Sequence, residues 1–409
     1  MPASLALGQA PSSGAPSGTV SPCVLDITDF YSDTTSGGVK TYLHAKADAL
    51  ARMGIRHAIV VPGDRTAVEH LGATRLYRVQ GPRLAMSRAY RVMLSSAPLR
   101  DVIDAEQPDV IEVGSPFIVP HLVYRASAGR HPTVGFYHAD VVRTFAEPYV
   151  PNRLAAPLRV IARNLARRMV RSIYRRFDVT VAASQSVAEE LRALGVPDVR
   201  VIGLGVDLVT FRPTPPEHRL APEALGAEPG VPIGIYVGRF CAEKRLDVVL
   251  EGHARIPAHR RPHLALVGGG PHAARLAEHA RREPRVSVLP YVSDRDTLAR
   301  LYGSADFYLA SGPGETFGLA IAEAMACGLP VVAVRRGAAP DRVAGSGVGE
   351  LYEHGDPDSA ARALEVICAR LEPEMGRRAR MHAERTFDWS DTFTDLAALY
   401  REVAAVHRA

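Results

Sequence analysis

The sequence predicts an α/β protein of two units, each a doubly wound parallel sheet with helices on both faces. Three observations carry that reading. Short β-branched runs alternate with helix-length segments through most of the 409 residues, as in repeated βαβ units. Prolines at 213, 215, 216 and 222, with glycines at 226 and 230, divide the chain into halves of comparable length. A single core rarely grows beyond about 250–300 residues, so two cores are expected. The stretch 306–336, DFYLASGPGETFGLAIAEAMACGLPVVAVRR, compresses strand, glycine loop, helix and strand into one unit.

Taken in order, residues 1–21 read as a disordered tail, lacking the basic start and sustained apolar stretch of a signal peptide. The first unit, 22–212, carries strands predicted at Val24–Thr28, Ala58–Val61, Leu76–Val79, Val110–Val113, Thr133–Tyr137, Val179–Ala182 and Val199–Ile202. Residues 213–230 form the linker. The second unit, 231–387, restarts at Ile233–Val237 and continues with Leu264–Val267, Val286–Leu289, Phe307–Ala310 and Val331–Val334. Residues 388–409 read as a final helix.

Bulk properties narrow the function. Hydrophobic content of 47% and charged content of 23% are ordinary for a soluble domain. No apolar run approaches the roughly 18 residues that cross a bilayer, so a cytoplasmic protein is expected. Cys23, Cys241, Cys327 and Cys368 show no C-x-x-C spacing, which fits a reducing compartment and argues against zinc or disulfides. A net charge of +5 and a pI near 9.1 point to anionic partners, nucleotides or an acidic lipid surface. Nucleic acid, which charge alone does not exclude, is not expected.

The 306–336 unit is the centre of the functional reading. Its loop, Ser311-Gly312-Pro313-Gly314, should lie at the carboxyl end of a parallel strand, where open sheets bind ligands. The helix is read as starting at Phe317, so amides around Thr316, Phe317, Gly318 and Leu319 lack intrahelical acceptors and sit at the positive end of the helix dipole. Phosphate suits that position, and Gly314 and Gly318 let it approach the backbone. Glu315 and Glu323 would repel phosphate. They are therefore expected to face neutral hydroxyls, as of a sugar and a ribose; the alternative is two solvated helix-start charges.

Other stretches extend the pattern. In DFYSDTTSGGVKTYLH, Gly37 and Gly38 precede a helix and read either as a tight turn or as a second wall for a diphosphate. His138, in FYHAD, ends a strand; a lone histidine is more often structural than catalytic, and Asp140 is read as a turn cap. Residues 153–177 interleave arginine with leucine, isoleucine, valine and methionine, as in an ordinary surface helix or one meeting an anionic membrane. Arg239 and Lys244, in VGRFCAEKRLD, could both reach one diphosphate, a guanidinium fork beside an ammonium. Gly268 and Gly269 belong to a GGGP run that lacks the G-x-G-x-x-G spacing and reads as a turn lining a nucleotide cleft. Asp294-Arg295-Asp296 spells a metal-type D-x-D, yet Ser293 and Asp296 are spaced to cap a helix. No metal is expected.

Several of these stretches together resemble one family. Glu315 and Glu323 form an E-x7-E pair within GETFGLAIAEAMACGLPVVA. With FYSDTTSGGVKTYL, FYHAD, GLGVDLVTFRP and VGRFCAEKRLDVVLEG in order, the chain from about 22 to 405 is similar to retaining glycosyltransferases of family 4. The resemblance implies the GT-B fold: two Rossmann-like units facing a cleft, the first binding acceptor, the second the nucleotide sugar, and a terminal helix crossing back to the first. It implies that Arg239 and Lys244 neutralise the departing diphosphate, that His138 and Glu315 touch the donor sugar, and that Glu323 takes ribose hydroxyls. Gly37, Gly38, Gly268, Gly269 and Thr316–Leu319 would line the nucleotide, with no cofactor beyond the donor. The pattern looks most like bacterial α-mannosyltransferases that use GDP-mannose. A UDP-sugar donor or a GT-B-like nucleotide-sugar epimerase is the alternative, and the acceptor would be a glycan or lipid-linked hydroxyl at the inner membrane face.

Overall fold

The structure, a computed structural model, describes residues 22–32, 37–84, 87–143, 156–344 and 346–408. The expected tail over 1–21, and residues 153–155 of the arginine-rich stretch, lie outside the described residues.

The first sheet contains β1 (Cys23–Ile27), β2 (Arg56–Gly63), β3 (Ala67–Leu71) and β4 (Thr74–Gln80). A small separate hairpin follows, β5 (Arg83–Leu84) and β6 (Ser87–Arg91). The sheet resumes with β7 (Val110–Val113), β8 (Thr133–Phe136), β9 (Val179–Ala182) and β10 (Val199–Val201). Its spatial order is β10-β9-β8-β7-β1-β2-β4-β3, parallel except for the β3–β4 edge. The second sheet comprises β11 (Ile233–Arg239), β12 (His263–Gly269), β13 (Val286–Leu289), β14 (Phe307–Ala310), β15 (Val331–Val334) and β16 (Gly349–Tyr352). Its order is β13-β12-β11-β14-β15-β16, parallel throughout.

The interior strands are buried on both faces because helices cover each side, which is why they read as unbroken apolar runs. Four strands escaped the sequence reading, the hairpin pair β5 and β6 and, for the converse reason, the edge strands β3 and β16. β3 (AVEHL) and β16 (GELY) lie at sheet edges, half exposed and studded with charge. The exposed two-residue β5 has no pattern to read. Gly268 and Gly269, expected in a turn, are instead the last residues of β12, paired to Gly238 and Arg239 of β11.

The final helix, Trp389–Arg408, lies on the first unit. Tyr400 donates to Glu112 on β7, Thr392 Oγ1 to Gly203 O at 2.9 Å, and Arg200 pairs with Glu402 at 2.9 Å. Where the chain crosses, Val206 N bonds Phe387 O at 2.9 Å, and a Cβ on Gly205 would come within 2.4 Å of Trp389 N. One apolar cluster therefore runs from Val24 and Ile59 through Tyr42, Phe393 and Phe387 to Phe317, Ile235 and Val331, joining both units.

Candidate functional site

Ligands of open parallel sheets bind where the strand order reverses, because only there do the flanking loops diverge. In the first sheet that point lies between β1 and β7, and in the second between β11 and β14. The loops that leave these four strand ends carry Gly37 and Gly38, Ser115, Lys244, and Ser311 to Gly318.

Two helix N-termini converge there. The helix after β1 spans Gly38–Arg52, capped at Gly37 by no side chain. The helix after β14 spans Leu319–Ala326, so it begins two residues later than the composition suggested. The cause is Gly318, the N-cap, held left-handed at φ 82°; a Cβ there would lie 2.9 Å from Ile321 Cδ1. The first residues of the two helices meet: a Cβ on Gly38 would stand 3.9 Å from Leu319 Cδ2. Each end presents amides without intrahelical acceptors and about half a positive charge. Helix ends of like sign brought together from separate sheets make a natural seat for an anion.

Lys244 sits on the same rim. It closes a short 3-10 turn, Ala242–Lys244, and the next residue, Arg245, is left-handed at φ 47°. Ser311 Oγ donates to Lys244 O at 2.6 Å, fastening the turn to the glycine loop. Lys244 Nζ bonds Glu315 Oε1 at 2.5 Å, across 71 residues of sequence. Burial pulls the Lys244 ammonium down, but Glu315 overrides it and holds its pKa above the usual lysine value. Gly312 lies under the pair, where a Cβ would be 3.0 Å from Lys244 Cδ. Gly337, at φ 64°, backs the loop, with Ala338 N donating to Glu315 O at 2.8 Å. Arg239 ends β11, exposed, with no carboxylate at ion-pairing distance among the described residues. Gly270 makes room for it: a Cβ there would stand 3.2 Å from Arg239 Cγ.

Glu323 is the one polar residue of LAIAEAMA, a helix buried almost all round. Its Oε2 accepts from Tyr302 at 3.3 Å. Burial raises the Glu323 carboxyl to about 7, against the opposing pull of Arg295 and the Tyr302 hydrogen bond. An acid on a core helix with so little compensation is poorly explained by stability alone.

His138 reaches the site from the first sheet. Its ring stacks on Phe136 with centroids 4.0 Å apart and rests 5.0 Å from Tyr42. Loss of water, aided by the Lys46 ammonium and opposed by Asp26, pushes the imidazole down to about 3, so it is neutral at physiological pH. Thr316 Oγ1 donates to His138 O at 2.8 Å, a contact between the units. Two more join them. Asp341 accepts from Ser186 N at 2.9 Å and from Ser186 Oγ at 2.5 Å, and buried Arg342 donates to Ala183 O at 2.6 Å while stacked over Phe317.

The structure thus brings Gly37, Gly38, His138, Lys244, Glu315, Thr316, Gly318 and Leu319 together by direct contacts. Phe317 is buried behind them under Arg342, so its side chain is packing. Gly268 and Gly269 flank Arg239 on the neighbouring strand, and a Cβ on Gly268 would strike Gly238 O at 1.9 Å, so close strand packing demands that glycine. The D-x-D stretch opens the helix Arg295–Gly303, but its cap is Asp294, which accepts from Thr297 N at 2.8 Å, rather than Ser293. Asp140 caps as expected, accepting from Arg143 N at 3.0 Å.

One group of residues went unread in the sequence. Lys46, fully buried, donates to Asp26 at 2.8 Å and lies 3.2 Å from Glu112; His57 bonds Asp26 at 2.6 Å, and Tyr42 bonds Glu112 at 2.8 Å. The available signal was a single acid inside each apolar strand, VLDI and VIEV.

Residues 36–210 match the family described as Glycosyltransferase Family 4, and residues 231–370 match Glycosyl transferases group 1. A GDP-mannose-dependent alpha-(1-6)-phosphatidylinositol dimannoside mannosyltransferase of Mycobacterium tuberculosis is 30% identical over 389 residues, 94% of this chain and 97% of that one. A D-inositol 3-phosphate glycosyltransferase of Mycolicibacterium gilvum is 35% identical over 244 residues, 57% of this chain and 53% of that one. Among solved structures, the sucrose-phosphate synthase of Thermosynechococcus elongatus superposes with a TM-score of 0.75 at 21% identity, covering 94% of this chain and all of that one. Anabaena HepE in complex with UDP-glucose gives 0.70 at 19% identity, covering 93% and 99%. These last two likenesses concern the GT-B fold.

Proposed function

The chain belongs to glycosyltransferase family 4, a GT-B enzyme that transfers a sugar from a nucleotide sugar, and on that premise we propose a retaining, metal-independent mannosyltransferase acting from GDP-mannose. The observation that carries the donor site is the meeting of two helix N-termini at Gly38 and Leu319, with Lys244 beside them.

In this reading the diphosphate lies between those helix ends, with Lys244 and Arg239 along it. As the bond from sugar C1 to the phosphate oxygen breaks, charge grows on the phosphate, and preorganised cations and amides stabilise it. The acceptor oxygen bonds C1 on the same face, and its proton passes to the departing phosphate oxygen. Neutral His138 and Glu315 hold sugar hydroxyls, and Glu323 accepts from the ribose. The full-length relative that names GDP-mannose supports the donor assignment.

The helix Ala156–Tyr174 supports a lipid-linked acceptor. It exposes Leu158, Ile161 and Leu165, one stripe at helical spacing, beside exposed Arg167, Arg168 and Arg171. Among the described residues no helix is long and apolar enough to cross a membrane. A surface contact at the inner face of the membrane is the arrangement proposed.

Thermal-shift titration with GDP, UDP and ADP, then transfer from the matching mannosyl or glucosyl donor with EDTA present, tests the reading. GDP should stabilise most and EDTA should leave transfer intact. Selective stabilisation by UDP would move the donor assignment, and abolition by EDTA would overturn the metal-free mechanism.

Glu323 gives a pH signature. Burial raises its carboxyl to about 7, and the ionised form is the stronger acceptor for the two ribose hydroxyls. Nucleotide affinity should therefore rise with pH toward 8 and fall below 7 to a plateau about ten- to a hundredfold weaker, the value of one charge-assisted hydrogen bond. Glu323→Gln should flatten that profile; calorimetry at several pH values showing the same slope in both proteins would remove Glu323 from the ribose.

A further inference from the structure

The imidazole of His138 is held on two sides by aromatic rings. It stacks on Phe136 of β8, and Tyr42 meets it at a tilt of 56° with centroids 5.0 Å apart. Backbone closes a third side: a Cβ on Gly114, just beyond β7, would come within 3.1 Å of His138 Cδ2. Tyr42 also touches Phe136, at 5.2 Å, so the three rings form one cluster.

Tyr42 is in turn fixed at its far end. It is fully buried on the helix Gly38–Arg52, and its hydroxyl donates to Glu112 Oε1 at 2.8 Å. The other oxygen of that carboxylate accepts from Tyr400 on the final helix. Lys46, one turn after Tyr42, lies 3.2 Å from Glu112 Oε2 and rests against both phenol rings, 5.4 Å from Tyr42 and 4.9 Å from Tyr400. It also reaches Asp26 at 2.8 Å, and Asp26 takes His57 at 2.6 Å. The final helix adds two more rings. Trp389 and Phe393, stacked on each other, approach Tyr42 at 6.4 and 6.0 Å.

A ring held only by apolar contacts can re-tilt as its neighbours repack. One whose hydroxyl is bonded to an ionised acceptor has its long axis fixed as well, by a bond about twice as strong as a neutral one. A buried ion set of this kind is weak evidence for stability. Its position against the histidine ring is what singles it out, because a misplacement of about 1 Å near reacting groups costs up to about a hundredfold in rate.

We propose that Tyr42 positions the His138 imidazole for sugar transfer, and that Glu112, shared by Tyr42 and Tyr400, makes the final helix part of that positioning. The final helix then acts on the reaction without touching substrate. The inference rests on the reading of His138 as a donor-sugar contact for its effect on rate, though not for the placement of the ring.

The test uses the full chain, isotope-labelled at histidine. In its side-chain NMR spectrum the His138 signal is the one that His138→Ala removes. Tyr42→Phe and Tyr400→Phe, which keep both rings and delete one hydroxyl each, should both move that signal. Each should also lower kcat about three- to thirtyfold. GDP affinity, measured by calorimetry, should stay unchanged, since Lys46 still ties the helix Gly38–Arg52 to Asp26. Added to His138→Ala, Tyr42→Phe should cost no further rate, because it acts through the ring already removed. A His138 signal unmoved by Tyr400→Phe, rate losses that multiply in the double variant, or GDP affinity that falls in step with kcat would overturn the proposal. If the parent transfers no sugar from any nucleoside diphosphate donor and both phenylalanine variants still move the signal, the positioning stands and the transfer reading falls, so the two fail separately.

Discussion

Lys244→Ala should lower turnover about a hundred- to a thousandfold, with a much smaller change in KM for the nucleotide sugar. The ammonium stands on a rim that already carries two helix ends, so ground-state diphosphate keeps other positive partners when it is removed. What disappears is the preorganised point charge placed where phosphate charge develops in the transition state. Lys244 also neutralises Glu315 at 2.5 Å in the structure. Its loss therefore leaves a carboxylate facing the phosphate as well, and the combined effect exceeds the loss of one hydrogen bond. Lys244→Arg should recover part of the rate, because a guanidinium retains charge but not the compact geometry. Steady-state kinetics on all three proteins decide the matter. An unchanged kcat in Lys244→Ala would take the residue out of the reaction.

Lys46→Met should destabilise the protein by about 3–5 kcal/mol, the range for breaking a buried pair on one side. Lys46 is fully buried and lies between Asp26 and Glu112, both also buried. Burial alone would raise the Asp26 carboxyl, but Lys46 and His57 more than reverse it and hold it well below the ordinary carboxylate range. Glu112 is raised, because burial outweighs the pull of Lys46. The pH dependence follows from the sign. In the parent protein Asp26 contributes stability above its unfolded pKa and loses it as pH falls through the folded value. Without Lys46 both acids have raised folded values, so the folded state takes up protons that the unfolded chain releases. The variant's deficit should then shrink on acidification from pH 8 to 5. Urea denaturation at several pH values would measure it, and a constant deficit would mean that Lys46 acts by packing alone.

Sequence pattern revealed the parallel sheets because strands covered on both faces must be apolar throughout, as VVAV and FYLA are. It failed at β3 and β16, whose exposed edges accept charge. The helix start at Leu319 was displaced in the reading because Phe317 and Gly318 are compatible with a helix in composition. Only the left-handed backbone at Gly318 excludes them. The candidate site was legible wherever glycine spacing marked a loop, at Gly37-Gly38 and at Gly312 to Gly318. The union of Lys244 with Glu315 was not, because 71 residues separate them and nothing local encodes the pairing. The chain of contacts from His138 through Tyr42 and Glu112 to Tyr400 was hidden for the same reason: it draws on a strand end, a second strand and two helices.

The order in which the polypeptide leaves the ribosome has a consequence here. Glu112 is sealed by a hydroxyl that lies 288 residues further along, on Tyr400. At about 5–20 residues per second, Glu112 waits on the order of 15 to 60 s for that hydroxyl, while the rest of the first lobe and the second lobe are made. The last partner of a core acid in the earlier half thus arrives only with the end of the chain.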